Sequence, residues 1–185
     1  SGPQEMPFTC QTDTFVLADG TTTLGAPLDT SCSANTRVDY VYRTNAATPS
    51  FVALPSRSVL PGDVATTTTS DGRTVPYVVR VETGTLNRSI YQTAVLHNPV
   101  SEPEPSFTSR PAGWNGRLVY TFGGGCTGGW YRQGNTTGGV LDHEILKQGY
   151  AMASSSLNVF GKNCQDLTAA ESMAMVKERF IEAYG

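Results

Sequence analysis

The spacing of apolar residues divides the chain into strand-like and helix-like stretches. Residues 38–42, Val-Asp-Tyr-Val-Tyr, alternate apolar and polar positions, the period-two pattern of a half-buried strand. Residues 77–83 and 89–96 are rich in β-branched and aromatic side chains, and Gly84-Thr85-Leu86-Asn87 between them predicts a hairpin. Leu118, Val119, Tyr120 and Phe122 form another strand-like run, entered through the turn signal Asn115-Gly116. Ala151, Met152 and Ala153 mark a short buried strand over 150–155. The period lengthens twice. Val140, Leu141, Ile145 and Leu146 share one face of a helix over 140–148, with Gly149 as its C′ stop. Met173, Val176, Phe180 and Tyr184 then recur as one helical stripe, from which Lys177, Glu178, Arg179 and Glu182 mainly fall away. Thr168 and Glu171 have capping-box spacing at its start, Asp166 and Glu171 suit the N-terminal macrodipole, and Gly185 fits the C′ position.

The other stretches are less regular. Residues 1–36 are loop-rich, with a short apolar piece at Phe15-Val16-Leu17; residues 44–74 carry Pro49, Pro55 and Pro61 and read as an excursion; residues 98–113 are a Pro- and Glu-rich surface connection. Two regions result: 1–76, loop-rich with short strands, and 77–185, where strands alternate with helices. Such alternation implies right-handed crossovers and a parallel sheet, here entered through an antiparallel hairpin.

Composition narrows the function classes. The 185 residues suffice for one domain with a core, and a net charge of −3 gives no electrostatic case for nucleic acid or an anionic membrane. No apolar run approaches the roughly 20 residues of a membrane-spanning helix. Few lysines and many Thr, Ser, Gly and Asn suit a secreted or periplasmic protein, and Ser1-Gly2-Pro3-Gln4 reads as a processed or tag-derived start. The four cysteines lack Cys-x-x-Cys spacing, which argues against zinc. Of the three connectivities open to two disulfides, Cys10–Cys32 and Cys126–Cys164 each tie one local region; four buried thiols are the alternative. Asn87-Arg88-Ser89 and Asn135-Thr136-Thr137 are glycosylation sequons. No stretch has metal-ligand spacing, and no Gly-Lys-Ser/Thr follows the glycine run, so neither metal nor nucleotide cofactor is expected.

The chemistry concentrates at Gly123-Gly124-Gly125-Cys126, directly after the strand-like run at 118–122. Three positions without side chains let backbone N–H groups approach a ligand closely. The plain reading is a tight turn. The functional reading is an oxyanion hole, whose donors are the backbone amides of Gly123, Gly124, Gly125 and Cys126. The order hairpin, strand, glycine loop, helix, strand, helix matches the first half of an α/β-hydrolase, whose next strand carries the Gly-x-Ser-x-Gly nucleophile elbow. No such motif occurs in the chain. Trp130 and Tyr131 either line an acyl or aryl pocket or pack internally. Ser154, Ser155 and Ser156 are site-wall or capping residues. Cys126 has no base specified nearby, and a disulfide suits it better than a nucleophilic role. His97 and His143 precede any nucleophile in chain order, so neither is assigned as the base.

Four motifs carry a family resemblance: Arg80-Val81-Glu82-Thr83-Gly84-Thr85-Leu86-Asn87-Arg88, Tyr120-Thr121-Phe122-Gly123-Gly124-Gly125-Cys126, Ser155-Ser156-Leu157-Asn158-Val159-Phe160-Gly161 and Val176-Lys177-Glu178-Arg179-Phe180. With their surroundings, about half the chain resembles a secreted α/β-hydrolase family of poorly characterised function, distantly similar to tannases and feruloyl esterases. The resemblance implies that residues 77–185 are the N-terminal half of an α/β-hydrolase core. It also implies hydrolysis of a carboxylic ester through an acyl-enzyme. In that family the chain continues into the elbow, so the Ser, His and acid would come from a second polypeptide, the C-terminal part of a cleaved precursor, or would be missing from a fragment. On this expectation the strand at 150–153 exposes the edge on which the elbow strand pairs. Amide hydrolysis on the same apparatus and a non-catalytic secreted binding domain are the alternatives.

Overall fold

The computed structural model describes residues 8–126 and 132–185. Its centre is a six-stranded mixed sheet built from β1 (Arg37–Arg43), β2 (Phe51–Ala53), β5 (Val78–Leu86), β6 (Ser89–Leu96), β7 (Leu118–Tyr120) and β8 (Ala151–Ser155), in the order β2-β1-β5-β6-β8-β7. A separate two-stranded ribbon, β3 (Thr66–Thr68) with β4 (Thr74–Pro76), forms within and just after the proline-bearing excursion. β1 pairs antiparallel with β5, so residues from the loop-rich first region enter the same sheet as the rest.

The hairpin forms with a shifted turn. β5 runs through Gly84 to Leu86, and the two turn residues are Asn87 and Arg88, both at positive φ (49° and 61°). That is the type I′ geometry whose twist matches the flanking strands. Gly84 stays in the strand because Tyr91 lies across it: a Cβ there would meet the Tyr91 ring at 2.9 Å.

Among the described residues one strand pair, β7 with β8, is parallel; β8 is antiparallel to β6 on its other side. The strand at 150–153 is therefore interior, and the expected open edge belongs instead to β7. The crossover from β7 places β8 inside it, between β6 and β7.

One face of the sheet buries Val41, Val79, Val81, Ala94, Leu96 and Met152 beneath Val140 and Leu146. The covering helix α1 spans only His143–Leu146, shorter than the apolar face at 140–148 predicts. The Asp142 carboxylate fixes its start by accepting from the Glu144 and Ile145 amides, and Gly149 at φ 84° ends it. Val140 reaches the core from the irregular segment before the helix, where Thr121 Oγ1 donates to the Gly139 carbonyl at 2.6 Å.

The other face packs on α2 (Asp166–Tyr184). Ala169, Ser172, Val176, Phe180 and Tyr184 form its buried stripe, while Met173, which the spacing assigns to that stripe, lies 36% exposed, one position off the observed seam. Ser172 takes the buried place because its Oγ accepts from Asn87 Nδ2 of the hairpin turn. Phe180 stacks on Tyr184 (4.6 Å) and meets Trp114 edge-on (5.3 Å). The capping box does not form. The helix starts two residues before Thr168, at Asp166, so Thr168 lies inside the first turn and its hydroxyl donates to Gln165 Oε1.

A buried charge cluster joins α2 to the sheet and gives two of the family-like motifs a structural role. The Glu82 carboxylate accepts from Tyr91 (2.7 Å), Arg179 (3.0 Å) and Arg80 (3.3 Å), and Arg80 donates to Tyr184 at 2.6 Å. Arg179, which the spacing sets off the apolar stripe, thus turns inward to this carboxylate. Disulfides join Cys10 to Cys32 and Cys126 to Cys164, as the local-pairing reading predicts.

Candidate active site

β7 delivers the chain to the glycine loop in a fixed register. Thr121 N donates to the Ala153 carbonyl (2.9 Å), extending the β7–β8 ladder by one residue. The Ser154 hydroxyl latches the next turn by donating to the Thr121 carbonyl and accepting from Gly138 N, both at 2.8 Å.

Beyond this point the loop runs beside residues 158–161. Gly123 N donates to the Asn158 carbonyl, Phe160 N to the Gly123 carbonyl and Gly161 N to the Gly124 carbonyl, each at 3.0 Å. The approach is close: a Cβ at Gly123 would lie 2.7 Å from a Val159 methyl, and one at Gly125, held at φ 94°, would lie 3.3 Å from the Gly161 Cα. Only glycine fits these two positions without displacement or strain. A Cβ at Gly124 would meet nothing within 4 Å.

Peptide planarity then sets the donors. In a trans peptide the N–H lies opposite the preceding C=O. The Gly123 and Gly124 carbonyls both point at the 160–161 segment, so the amides of Gly124 and Gly125 point away from it. Among the described residues these two amides and that of Cys126 have no acceptor. The Gly123 amide is occupied by Asn158. The Cys126–Cys164 disulfide, with Cα atoms 5.4 Å apart, ties the far end of the loop to the same neighbouring segment. Residues 120–126 and 156–161 contain no charged side chain, so an anion here would be met by backbone dipoles.

Phe122, 48% exposed, stacks on Phe160 at 6.3 Å and forms an aromatic rim. On the α1 side of the sheet an open cleft of about 510 Å³ adjoins the start of the loop, walled by Leu17, Val81, Met152, Leu141, Gln92 and Thr121. Among the described residues no His, Cys, Asp and Glu side chains group to hold a metal ion, and no helix is long and apolar enough to cross a membrane.

A model of the tannase-like family of unknown function (DUF6351) matches residues 1–185. The chain belongs to this tannase-like family. No curated protein and no solved structure matches it. The relationship points to an esterase-type hydrolase.

In the tannase-like chain the remaining candidate residues are distributed as follows. Trp130 and Tyr131 lie outside the described residues. Ser154, Ser155 and Ser156 are fully buried and internally engaged: Ser155 caps the 3-10 turn Ser156–Asn158, and Ser156 bonds Ile90 N and the Gln133 carbonyl. His97 is buried, accepting at Nδ1 from Tyr40 (2.8 Å) and donating from Nε2 to the Pro103 carbonyl (3.0 Å). His143 stacks on Tyr77 at 5.6 Å; partial burial lowers its imidazole pKa, and the Arg43 charge lowers it further. The residues that sequence reasoning left without a role are 158–161, the second rail of the loop. Their signal was the Leu-Asn-Val-Phe-Gly run itself, a polar residue and a glycine at the exit of a buried strand.

Proposed function

We propose that residues 1–185 form the N-terminal half of a serine α/β-hydrolase core that cleaves a carboxylic ester through an acyl-enzyme. Its glycine loop would supply the oxyanion hole from the amides of Gly124 and Gly125, with Cys126 beside them. The observation that carries this reading is the pair of amides, without an acceptor among the described residues, aimed away from a pinned backbone at the end of β7. Preorganised donors of this kind stabilise the tetrahedral oxyanion by roughly 3–4 kcal/mol each.

A serine attacks the ester carbonyl, a histidine takes its proton and returns it to the leaving alcohol, and an acid orients the histidine. These three groups would come from polypeptide outside residues 1–185. The strand bearing the nucleophile elbow would pair along the open edge of β7, next to the loop whose amides it must face. The tannase-like relationship favours an ester over an amide. Two disulfides suit an oxidising compartment, which supports secretion or export to a periplasm.

Labelling the native protein with a fluorophosphonate, followed by peptide mapping, tests the proposal. The expected adduct is on a serine outside residues 1–185, with loss of activity toward p-nitrophenyl acetate. An unlabelled protein, or an adduct on Ser154, Ser155 or Ser156, would overturn it.

A further inference from the structure

Asn158 is wholly buried at the end of the 3-10 turn after β8, and its polar groups reach three separate elements. Its Oδ1 accepts from the Tyr120 hydroxyl at 2.6 Å, at the last residue of β7. Its Nδ2 donates to the Ala169 carbonyl at 2.7 Å, in the first turn of α2. Its main-chain carbonyl accepts from Gly123 N at 3.0 Å. Burial raises the Tyr120 phenol pKa, so Tyr120 stays a neutral donor to this amide.

We infer that Asn158 is the positioning residue of the oxyanion loop. The side-chain amide fixes residue 158 between β7 and α2. Residue 158 in turn sets the register of the 158–161 rail. The rail anchors the Gly123 and Gly124 carbonyls, and peptide planarity converts those anchors into the directions of the Gly124 and Gly125 amides. A buried side-chain amide is suited to this task because it must both accept and donate: from Tyr120 on one side and to Ala169 on the other. A residue of the same shape that only accepts would face the Ala169 carbonyl with a second acceptor, and the rail would shift. The inference rests on the oxyanion reading of the loop for its catalytic consequence. It rests only on the hydrogen bonds for the control of loop geometry.

The discriminating substitution is Asn158→Asp in the full native protein. Above its pKa the new carboxylate can only accept, so kcat for p-nitrophenyl acetate should fall about 10- to 100-fold, the scale of a misplaced catalytic group, with KM within about two-fold. Once protonated, the carboxylic acid both accepts and donates like the original amide. The ratio of variant to wild-type kcat should therefore climb toward one as pH falls. With kcat referred to the folded fraction at each pH, a role in stability alone does not produce that recovery. A ratio that stays flat with pH, or a loss of kcat matched by the loss of folded protein, would overturn the inference. Should that variant fold poorly, Tyr120→Phe removes one of the three ties and keeps the ring; it should lower kcat without changing KM, and unchanged kcat would count against the proposal. A readout without substrate separates this inference from the esterase reading. The Gly123 amide should be protected from hydrogen exchange in the wild type. In Asn158→Ala it should exchange at least about ten-fold faster while the β5 and β6 amides do not change. Unaltered Gly123 exchange overturns the positioning role whether or not the protein hydrolyses esters.

Discussion

Replacing Gly124 with valine adds a branched side chain where the structure leaves open space. No atom lies within 4 Å of a Cβ at this position, and its φ is outside the left-handed range, so the fold should tolerate the change. Its two neighbours behave differently. At Gly123 a Cβ would press on the Val159 methyls at 2.7 and 2.9 Å, an overpacking expected to cost about 1–3 kcal/mol of stability. At Gly125 the φ of 94° imposes backbone strain on any side chain, expected to cost roughly 1–2 kcal/mol. The three glycines therefore separate folding from chemistry. In Gly124→Val the methyl groups enter the open space beside the two outward amides. Loss of one oxyanion donor corresponds to about 100- to 1,000-fold in kcat, or roughly 3–4 kcal/mol in the transition state. Thermal melts together with kcat on p-nitrophenyl acetate, normalised to active sites by fluorophosphonate titration, measure both quantities. Gly124→Val should melt near the wild type and lose nearly all turnover; Gly123→Ala should melt lower. A Gly124→Val protein that folds and keeps wild-type kcat would refute the oxyanion assignment.

Three further outcomes follow from the packing. Glu82→Gln keeps the size and one acceptor but leaves buried Arg80 with only the exposed Glu104 carboxylate at 3.4 Å, and Arg179 with only partial solvent relief; chemical denaturation should show a loss of roughly 3 kcal/mol, and less than about 1 kcal/mol would mean the cluster is not a buried ion network. Changing Cys126 and Cys164 together to serine opens a crosslink between residues 38 apart, which by loop-closure entropy costs about 4 kcal/mol, and it should lower kcat as the loop end loosens; free thiols at both positions in non-reducing peptide maps of the native protein would remove the premise. Asp39 has its carboxyl pKa raised by burial, only partly offset by Arg37 at 3.5 Å, and one of its buried oxygens has no hydrogen-bond partner among the described residues. A raised folded-state pKa means the folded protein binds the proton more tightly, so Asp39 loses stability as pH rises from its unfolded pKa through its folded one; Asp39→Asn should stabilise at neutral pH, with the gain fading in acid, and equal stability differences at pH 3 and pH 7 would contradict this.

Local chemistry was enough to read the strands around 38–42, 77–96, 118–122 and 150–155, the last helix and the glycine loop, because each is encoded by spacing within a few residues. The cysteine pairing was legible for a similar reason, since each pair closes its own region. Local signals failed where a distant group competed for the same atoms. Thr168 and Glu171 have the spacing of a cap, but the chain became helical two residues earlier. Met173 continues the apolar period, but Ser172 took the buried place because Asn87, across the structure, offered a donor. Arg179 falls off the apolar stripe by its spacing and is drawn inward by Glu82, 97 residues away in sequence.

The sequence by itself determined where side chains are missing and where strands must lie, because glycine placement and hydrophobic period act through the local backbone. Only the tertiary structure decided which strand forms the rim of the sheet and which loop amides are without an acceptor among the described residues. Both depend on pairings between segments tens of residues apart. β8 inserts between β6 and β7, leaving β7 at the rim, and the 158–161 segment takes up the Gly123 amide and two carbonyls, turning the next two N–H groups outward. No spacing in the glycine run encodes that direction; it is imposed by the hydrogen bonds of its neighbour and the planarity of the peptide.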